Sequence, residues 1–286
     1  MLVLLLLQTS APGPVIALSG TFRSPRVTES SGVAVSRVHP GVLWTHNDSG
    51  DGPYLYATDV RGADRGAMRV SGARAVDWED IALGPCPRAP GGCLYIGDTG
   101  DNLERRASVR LYVVPEPDPP VAPADSQRVT SAALSLSLRY PDGPHDVEAL
   151  FVSPRDTAVY LISKGRGGRI RLYRVPRSAW GTARPVIAEW LQTLPIVPDP
   201  ATGRLVTGAA VRSDGGLVAI RTYTEIYFFT PSRDGRLAPS GRPVCSVAGA
   251  ERLGEAVDFL DDSTLVLTSE ADPLGSGTIH TARCAR

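Results

Sequence analysis

The chain has 286 residues with 30 basic and 30 acidic side chains, so its formal charge is zero. A nucleic-acid binder held by phosphate contacts would carry a basic surplus, and a disordered chain would not be 42% apolar and 21% charged. With 29 glycines, 25 prolines and no collagen period, the sequence predicts many turns between many short elements, and its length supplies a core without a metal or disulfide to make up for small size.

Met1 to Gln8 reads MLVLLLLQ, too short to cross a bilayer at ~20 residues. Thr9-Ser10-Ala11 follows as a small-residue cleavage region. Residues 1–13 are therefore read as a secretory signal peptide, and 14–286 as one folded domain of a secreted or periplasmic protein without a membrane span. The alternative is a buried N-terminal strand. Cys86 and Cys93 bracket a loop between two strand-like runs, where a disulfide would staple a hairpin in an oxidising compartment. Cys245 and Cys284 remain as the second pair. Four reduced core thiols are the alternative, and zinc fits less well without CxxC or clustered histidines.

Five segments repeat one pattern: Ser31-Gly-Val-Ala-Val, Glu79-Asp-Ile-Ala-Leu, Glu148-Ala-Leu-Phe-Val, Thr207-Gly-Ala-Ala-Val and Glu255-Ala-Val-Asp-Phe. Each is followed by a second apolar strand ending in polar residues, and most by a third, such as Tyr54 to Ala57 and Arg110 to Val114. Ala132 to Arg139 alternates leucines with polar residues in period two, as an outer strand does. Four antiparallel strands per unit predict an all-β fold, a single β-propeller of five blades. Val15 to Phe22 is strand-like and supplies the outer strand that the short last unit lacks. Six blades is the alternative, if the long second unit hides an extra one.

In a propeller the first strands line a central channel. Glu29, Asp77 and Asp146 stand two residues before the first-strand positions Ser31, Glu79 and Glu148, hence on the same face. The second strands end at Asn47 and Asp48, Asp98, Lys164, Arg221 and Glu270, and two of them share a Gly turn, Asp48-Ser-Gly-Asp51 and Asp98-Thr-Gly-Asp101. All are predicted to meet at one mouth. Glu29, Glu79, Glu148 and Glu255 are the candidate metal ligands, with Ca²⁺ the candidate ion because it takes 6–8 oxygens. Asp48, Lys164, Arg221 and Glu270 are the candidate ligand-binding residues, the two cations as an anion clamp. Asp98 and His46 are the candidate catalytic bases. Lys164 is the one lysine in the chain, which points to a place needing a compact ammonium. Trp44 and Trp78 are expected to pack between blades. The plain alternative is that acids and bases neutralise each other in a solvated channel.

The strings Glu29-Ser-Ser-Gly-Val-Ala-Val-Ser36, Leu43-Trp-Thr-His-Asn-Asp-Ser-Gly50, Asp77-Trp-Glu-Asp-Ile-Ala82, Gly97-Asp-Thr-Gly-Asp-Asn102 and Asp146-Val-Glu-Ala-Leu150 resemble a group of exported bacterial β-propeller proteins. More distantly the architecture is similar to calcium-dependent propeller hydrolases, the gluconolactonase-like and phytase-like families. The resemblance implies a channel metal held by carboxylates at the places of Glu29, Glu79, Glu148 and Glu255. The expected function is binding of a small-molecule ligand, with a divalent metal, at the channel mouth. The alternatives are a metal-assisted hydrolase of lactones or phosphoesters, and a protein-interaction scaffold with an inert channel.

Overall fold

A computed structural model describes residues 13–120, 128–273 and 275–285. Five small sheets form a β-propeller. From the channel outwards, blade 1 is Ser30–Val35, Leu43–Asn47, Tyr54–Thr58 and Ala67–Ser71. Blade 2 is Trp78–Pro85, Gly92–Asp98, Val109–Pro115 and Leu134–Arg139. Blade 3 is Val147–Val152, Val159–Ser163, Arg171–Val175 and Glu189–Thr193. Blade 4 is Val206–Val211, Val218–Thr222, Glu225–Pro231 and Leu237–Pro239. Blade 5 is Gly254–Phe259, Leu265–Ser269, Thr278–Arg283 and, from the other end of the chain, Val15–Thr21.

That last pairing is antiparallel, with Ile16 opposite Ala282 and Leu18 opposite His280, and it closes the ring as the strand pattern predicts. The proposed leader, residues 1–13, lies outside the described residues except for Gly13. The long second unit hides no sixth blade. Its period-two stretch supplies Leu134–Arg139, which completes blade 2 as an outer strand, while the residues before it, Val129–Ala132, run parallel to Ala67–Ser71 on the outside of blade 1. The only helices among the described residues are two short 3₁₀ turns, and none is long and apolar enough to cross a membrane.

The core lies between neighbouring blades, because the two inner strands of each blade are covered on both faces while the outer strands keep an exposed side. Trp44, Trp78, Ile96 and Tyr112 fill the seam of blades 1 and 2, and Tyr95, Leu136, Leu150 and Tyr173 that of blades 2 and 3. Phe151, Ile162, Ile220 and Phe229 follow, then Phe228, Val257, Phe259 and Leu267, and Phe22, Val33, Leu43 and Val266 close the circle. Each fully buried large side chain contributes roughly 1.5–3 kcal/mol. Both disulfides form as paired from the sequence. Cys86–Cys93 staples the first hairpin of blade 2, and Cys245–Cys284 ties blade 4 to the end of blade 5's third strand. With sequence separations of 7 and 39 they restrict the unfolded chain by about 2 and about 4 kcal/mol respectively.

Candidate functional site

All five inner strands carry a register shift at the same place: between Ser30 and Gly32, Trp78 and Asp80, Val147 and Ala149, Val206 and Gly208, and Gly254 and Ala256. The skipped residues are Ser31, Glu79, Glu148, Thr207 and Glu255, the very positions the repeat aligns. A bulge leaves its residue out of the ladder and re-aims the side chain. The five-fold repeat of this defect is what gathers the acids at one mouth. Ser31 donates its hydroxyl to the carbonyl of Glu79 at 2.6 Å, and Thr207 donates to that of Glu255 at 2.8 Å, so blades 1 and 4 brace the acid-bearing bulges of blades 2 and 5.

Around these bulges stand two groups of three carboxylates whose oxygens lie within 4.8 Å of one another: Asp48, Asp77 and Glu79, and Glu79, Asp146 and Glu148. They differ in charge balance. Lys164 Nζ is 2.7 Å from Glu148 Oε1, and Arg166 bonds Asp146. No Arg, Lys or His of the described residues forms an ion pair with Asp48, Asp77 or Glu79. The first group therefore has no ion pair of its own, and Arg106 near Asp77 and Lys164 near Glu79 offset only part of its charge. Burial pushes the Asp77 carboxyl up to about 7, with Asp48 beside it adding to the effect. Burial also raises Glu79, and the charges of Glu148, Asp48 and Asp77 raise it further.

Glu255 lies in the same mouth. Burial, with Glu270 and Asp48 adding, lifts its carboxyl to about 8, and its Oε2 has no hydrogen-bond partner. Glu270 and Glu29 bridge at the rim, where Glu270 is pushed up to about 6 by burial and by Asp48 and Glu29. Lys164 stands among these acids with Nζ 5.6 Å from the centre of the Tyr223 ring. Burial disfavours its ammonium, but Glu148, Tyr223 and Glu255 outweigh that and hold the pKa above the ordinary lysine value. Beside Glu29 a cavity of ≈ 300 Å³ opens, lined in part by Arg26, Asn47, Asp51 and Tyr56.

The structure thus brings together Glu29, Asp48, Glu79, Glu148, Lys164, Glu255 and Glu270. Three other predicted residues are turned elsewhere. Arg221 is fully buried in the seam of blades 4 and 5, where it bonds Glu251 and donates to the carbonyl of Ala256 at 2.7 Å; this guanidinium holds the Glu255 bulge rather than facing the mouth. Asp98 sits behind Asp77, accepting from Arg106 Nη2 at 2.8 Å and from the Asp77 N–H at 3.2 Å. His46 is buried with its ring centre 5.5 Å from that of Trp78 in an edge-to-face arrangement, its Nδ1 2.9 Å from the carbonyl of Asn47, and burial pushes its pKa down. Asn47 is spent on the loop, accepting from Thr28 and Glu29 N–H and donating to Arg26 O and Asp51. His145 lies between Asp142 at 3.1 Å and Glu104 at 3.5 Å.

Asp77 and Asp146 were placed on the channel face by the sequence but not among the ligands, and the structure puts both in the carboxylate groups. Arg106, Arg166 and Tyr223 had no sequence signal, being common residue types in loops. Asp80 and Asp258 did have one, an acid amid an apolar inner strand, and they block the middle of the channel. Asp80 accepts from the N–H groups of Ile81 at 2.8 Å, Leu150 at 2.8 Å and Ala209 at 3.3 Å, and so ties blade 2 to blades 3 and 4. Asp258 accepts from Val35 and Phe259 N–H at 2.7 Å each. Beside Asp258 the channel leaves a void of ≈ 10 Å³.

Gly100, in the Asp98 to Asp101 turn, leaves space for the site. A Cβ there would fall 2.0 Å from Glu79 Oε1 and 2.5 Å from Asp77 Oδ2. Gly100→Ala should therefore keep the fold and displace these two carboxylates, abolishing any cation-induced rise in melting temperature; an unchanged rise would show that Glu79 and Asp77 are not the ligands.

No protein-family model matches this sequence, and no curated protein matches it. Solved structures similar in fold include a gluconolactonase from Xanthomonas campestris, at 14% identity over 94% of this chain and 89% of that one, TM-score 0.47. A chain of the nidogen/laminin complex matches at 13% identity over 90% of this chain and 84% of that one, TM-score 0.49. The structure of U3-55K matches at 11% identity over 89% and 67%, TM-score 0.43.

Proposed function

We propose that the acid mouth binds a divalent cation and, with it, a small oxygen-rich or anionic ligand. The observation that carries this reading is the Asp48, Asp77 and Glu79 group, which forms no ion pair, with the unpartnered Oε2 of Glu255 buried in the same mouth. Carboxylates in this number are hard oxygen donors, and Ca²⁺ suits them, being tolerant of irregular geometry. A bound cation would supply positive charge to a ligand oxygen. Lys164, kept charged by Glu148, supports an anionic ligand group from the opposite side. Asp48, Asp77 and Glu79 would hold the ion, while Glu29 and Glu270 bound the entrance.

A metal-assisted hydrolase is the second reading, favoured by one observation. Asp77 and Glu255 are lifted to about 7 and about 8, the range in which a carboxyl accepts or gives a proton at neutral pH. Lactones and phosphoesters are the substrate classes. In this reading the base role passes from Asp98 and His46, which are engaged elsewhere, to Glu255. The two disulfides fit an oxidising compartment, so export of residues 14–286 as one unit belongs to the proposal.

The test is the melting temperature with chelator and then with Ca²⁺, Mg²⁺ or Mn²⁺. An ion at about 100 times its Kd stabilises the protein by about 2.7 kcal/mol. The wild type should gain this, and Glu79→Gln, which removes the carboxylate shared by both groups, should not. No shift with any of the three ions overturns the metal reading. A lactone and phosphoester screen with Glu255→Gln as control then separates hydrolase from binder.

A further inference from the structure

The channel has a second end, beyond the Asp80 and Asp258 plug. There the inner strands of blades 1 to 4 finish around a cavity of ≈ 300 Å³. Leu83, Val152, Pro154 and Val211 form its walls, and Val38 stands exposed on its edge. Arg37 and Arg212 also border it, Arg212 neutralised by Asp214 at 2.7 Å. The volume is at the lower end for a small-molecule site.

Glu116 gives this apolar cup a single buried anchor. The residue follows the third strand of blade 2 and is fixed twice. Its backbone N–H donates to Gly92 O at 3.0 Å, and its Oε1 accepts from the indole N–H of Trp44 at 3.0 Å. Its Oε2 is buried and has no hydrogen-bond partner. A buried carboxylate oxygen left without a donor is unfavourable, and such atoms call for a partner from outside the chain. Gly92 keeps this side of the carboxylate free of a side chain: the atoms nearest a Cβ built there are Glu116 Oε2 and Leu83 Cδ1, both at 3.7 Å.

We propose that this far mouth is a second binding site, for a small molecule with an apolar body and a protonated amine. The ammonium donates to Glu116 Oε2, and the apolar body lies against Leu83, Val152, Pro154 and Val211. A charge-assisted bond to Glu116 favours the amine over an alcohol or a carboxylate, and Arg37, whose charge also acts on Asp258, is the lining group that would favour the carboxylate instead. The site needs no metal and stands independently of the acid mouth.

Calorimetric titration of the whole protein with n-hexylamine and with hexanoate tests this. Hexylamine should bind and raise the melting temperature, and hexanoate should bind more weakly. Glu116→Gln keeps an acceptor for Trp44 and should weaken hexylamine about tenfold or more, the worth of a hydrogen bond to a charged group. Gly92→Val adds a side chain into the cup from ordinary strand backbone and should remove binding. Failure of hexylamine to bind, tighter binding of hexanoate, or hexylamine binding that survives Gly92→Val would each overturn the proposal, the last by placing the amine at the acid mouth. If Glu116→Gln does not fold, Gly92→Val decides alone.

Discussion

Asp80→Ala should lower the unfolding free energy by about 3–5 kcal/mol. One carboxylate accepts three backbone N–H groups, from its own strand and from the inner strands of blades 3 and 4. Burial pushes this carboxyl well above the usual range and the three donors pull it back, so the group is held in place by the donors it satisfies. Alanine leaves all three N–H groups buried without an acceptor, each a loss of about 1–3 kcal/mol, and opens a void at the axis. Asp80→Asn keeps the volume and one acceptor oxygen, and should fall between alanine and wild type. Denaturant unfolding measures both. An alanine variant within about 1 kcal/mol of wild type would mean that water replaces the carboxylate and that the plug does not hold the blades together.

The second large effect is on pH. Four buried or half-buried carboxyls are raised in the folded protein: Asp258 and Glu270 to about 6, Asp77 to about 7 and Glu255 to about 8. In the unfolded chain these groups release their protons near the ordinary values of 3.8 and 4.5. Between those values and about 8 these four groups bind more protons in the native state than in the unfolded state, so their contribution to stability falls as pH rises, while His46, lowered by burial, opposes them up to its ordinary value of 6.5. In chelator, the melting temperature should decline from about pH 6.5 to about pH 8, above the range in which His46 titrates in the unfolded chain. Saturating Ca²⁺ should flatten the decline, because the cation takes the place of the protons. A melting temperature that rises over this interval in chelator would show that the folded mouth already tolerates its charges, and would remove the reason for a cation there.

The ring itself was legible because each blade repeats one short string at its inner strand, and because the last unit lacked a strand that Val15 to Phe22 could supply. The convergence of Glu79, Glu148 and Glu255 followed from the same alignment. The bulges that aim them did not, since a skipped hydrogen bond leaves no mark in a pattern of apolar and polar residues. Arg221 misled for a related reason. It pairs with Gly208 as Ile162 pairs with Ala149, two positions before the counterpart of Lys164, and there Glu251 and two carbonyls of the next blade take up its guanidinium. Asp98 was diverted by Arg106, eight residues along the same hairpin. Which acids stay uncompensated depends on where arginines from loops come to rest, and 29 of the 30 cations being arginine gives no hint of that.

The seam in blade 5 has a consequence for how the molecule is assembled. Ser19 and Thr281 hydrogen-bond across 262 positions of sequence, so the bracelet is clasped by segments made at opposite times during synthesis. Until the later one arrives, Val15–Thr21 must wait without its partner, and Thr278–Arg283 then emerges as a naked edge able to accept any strand of similar pattern. Entropy of closing so large a loop grows only slowly with its length, but the search is long, and such distant contacts form late. A peptide copying Val15–Thr21 would compete for the clasp during refolding and leave blade 5 finished by a stranger.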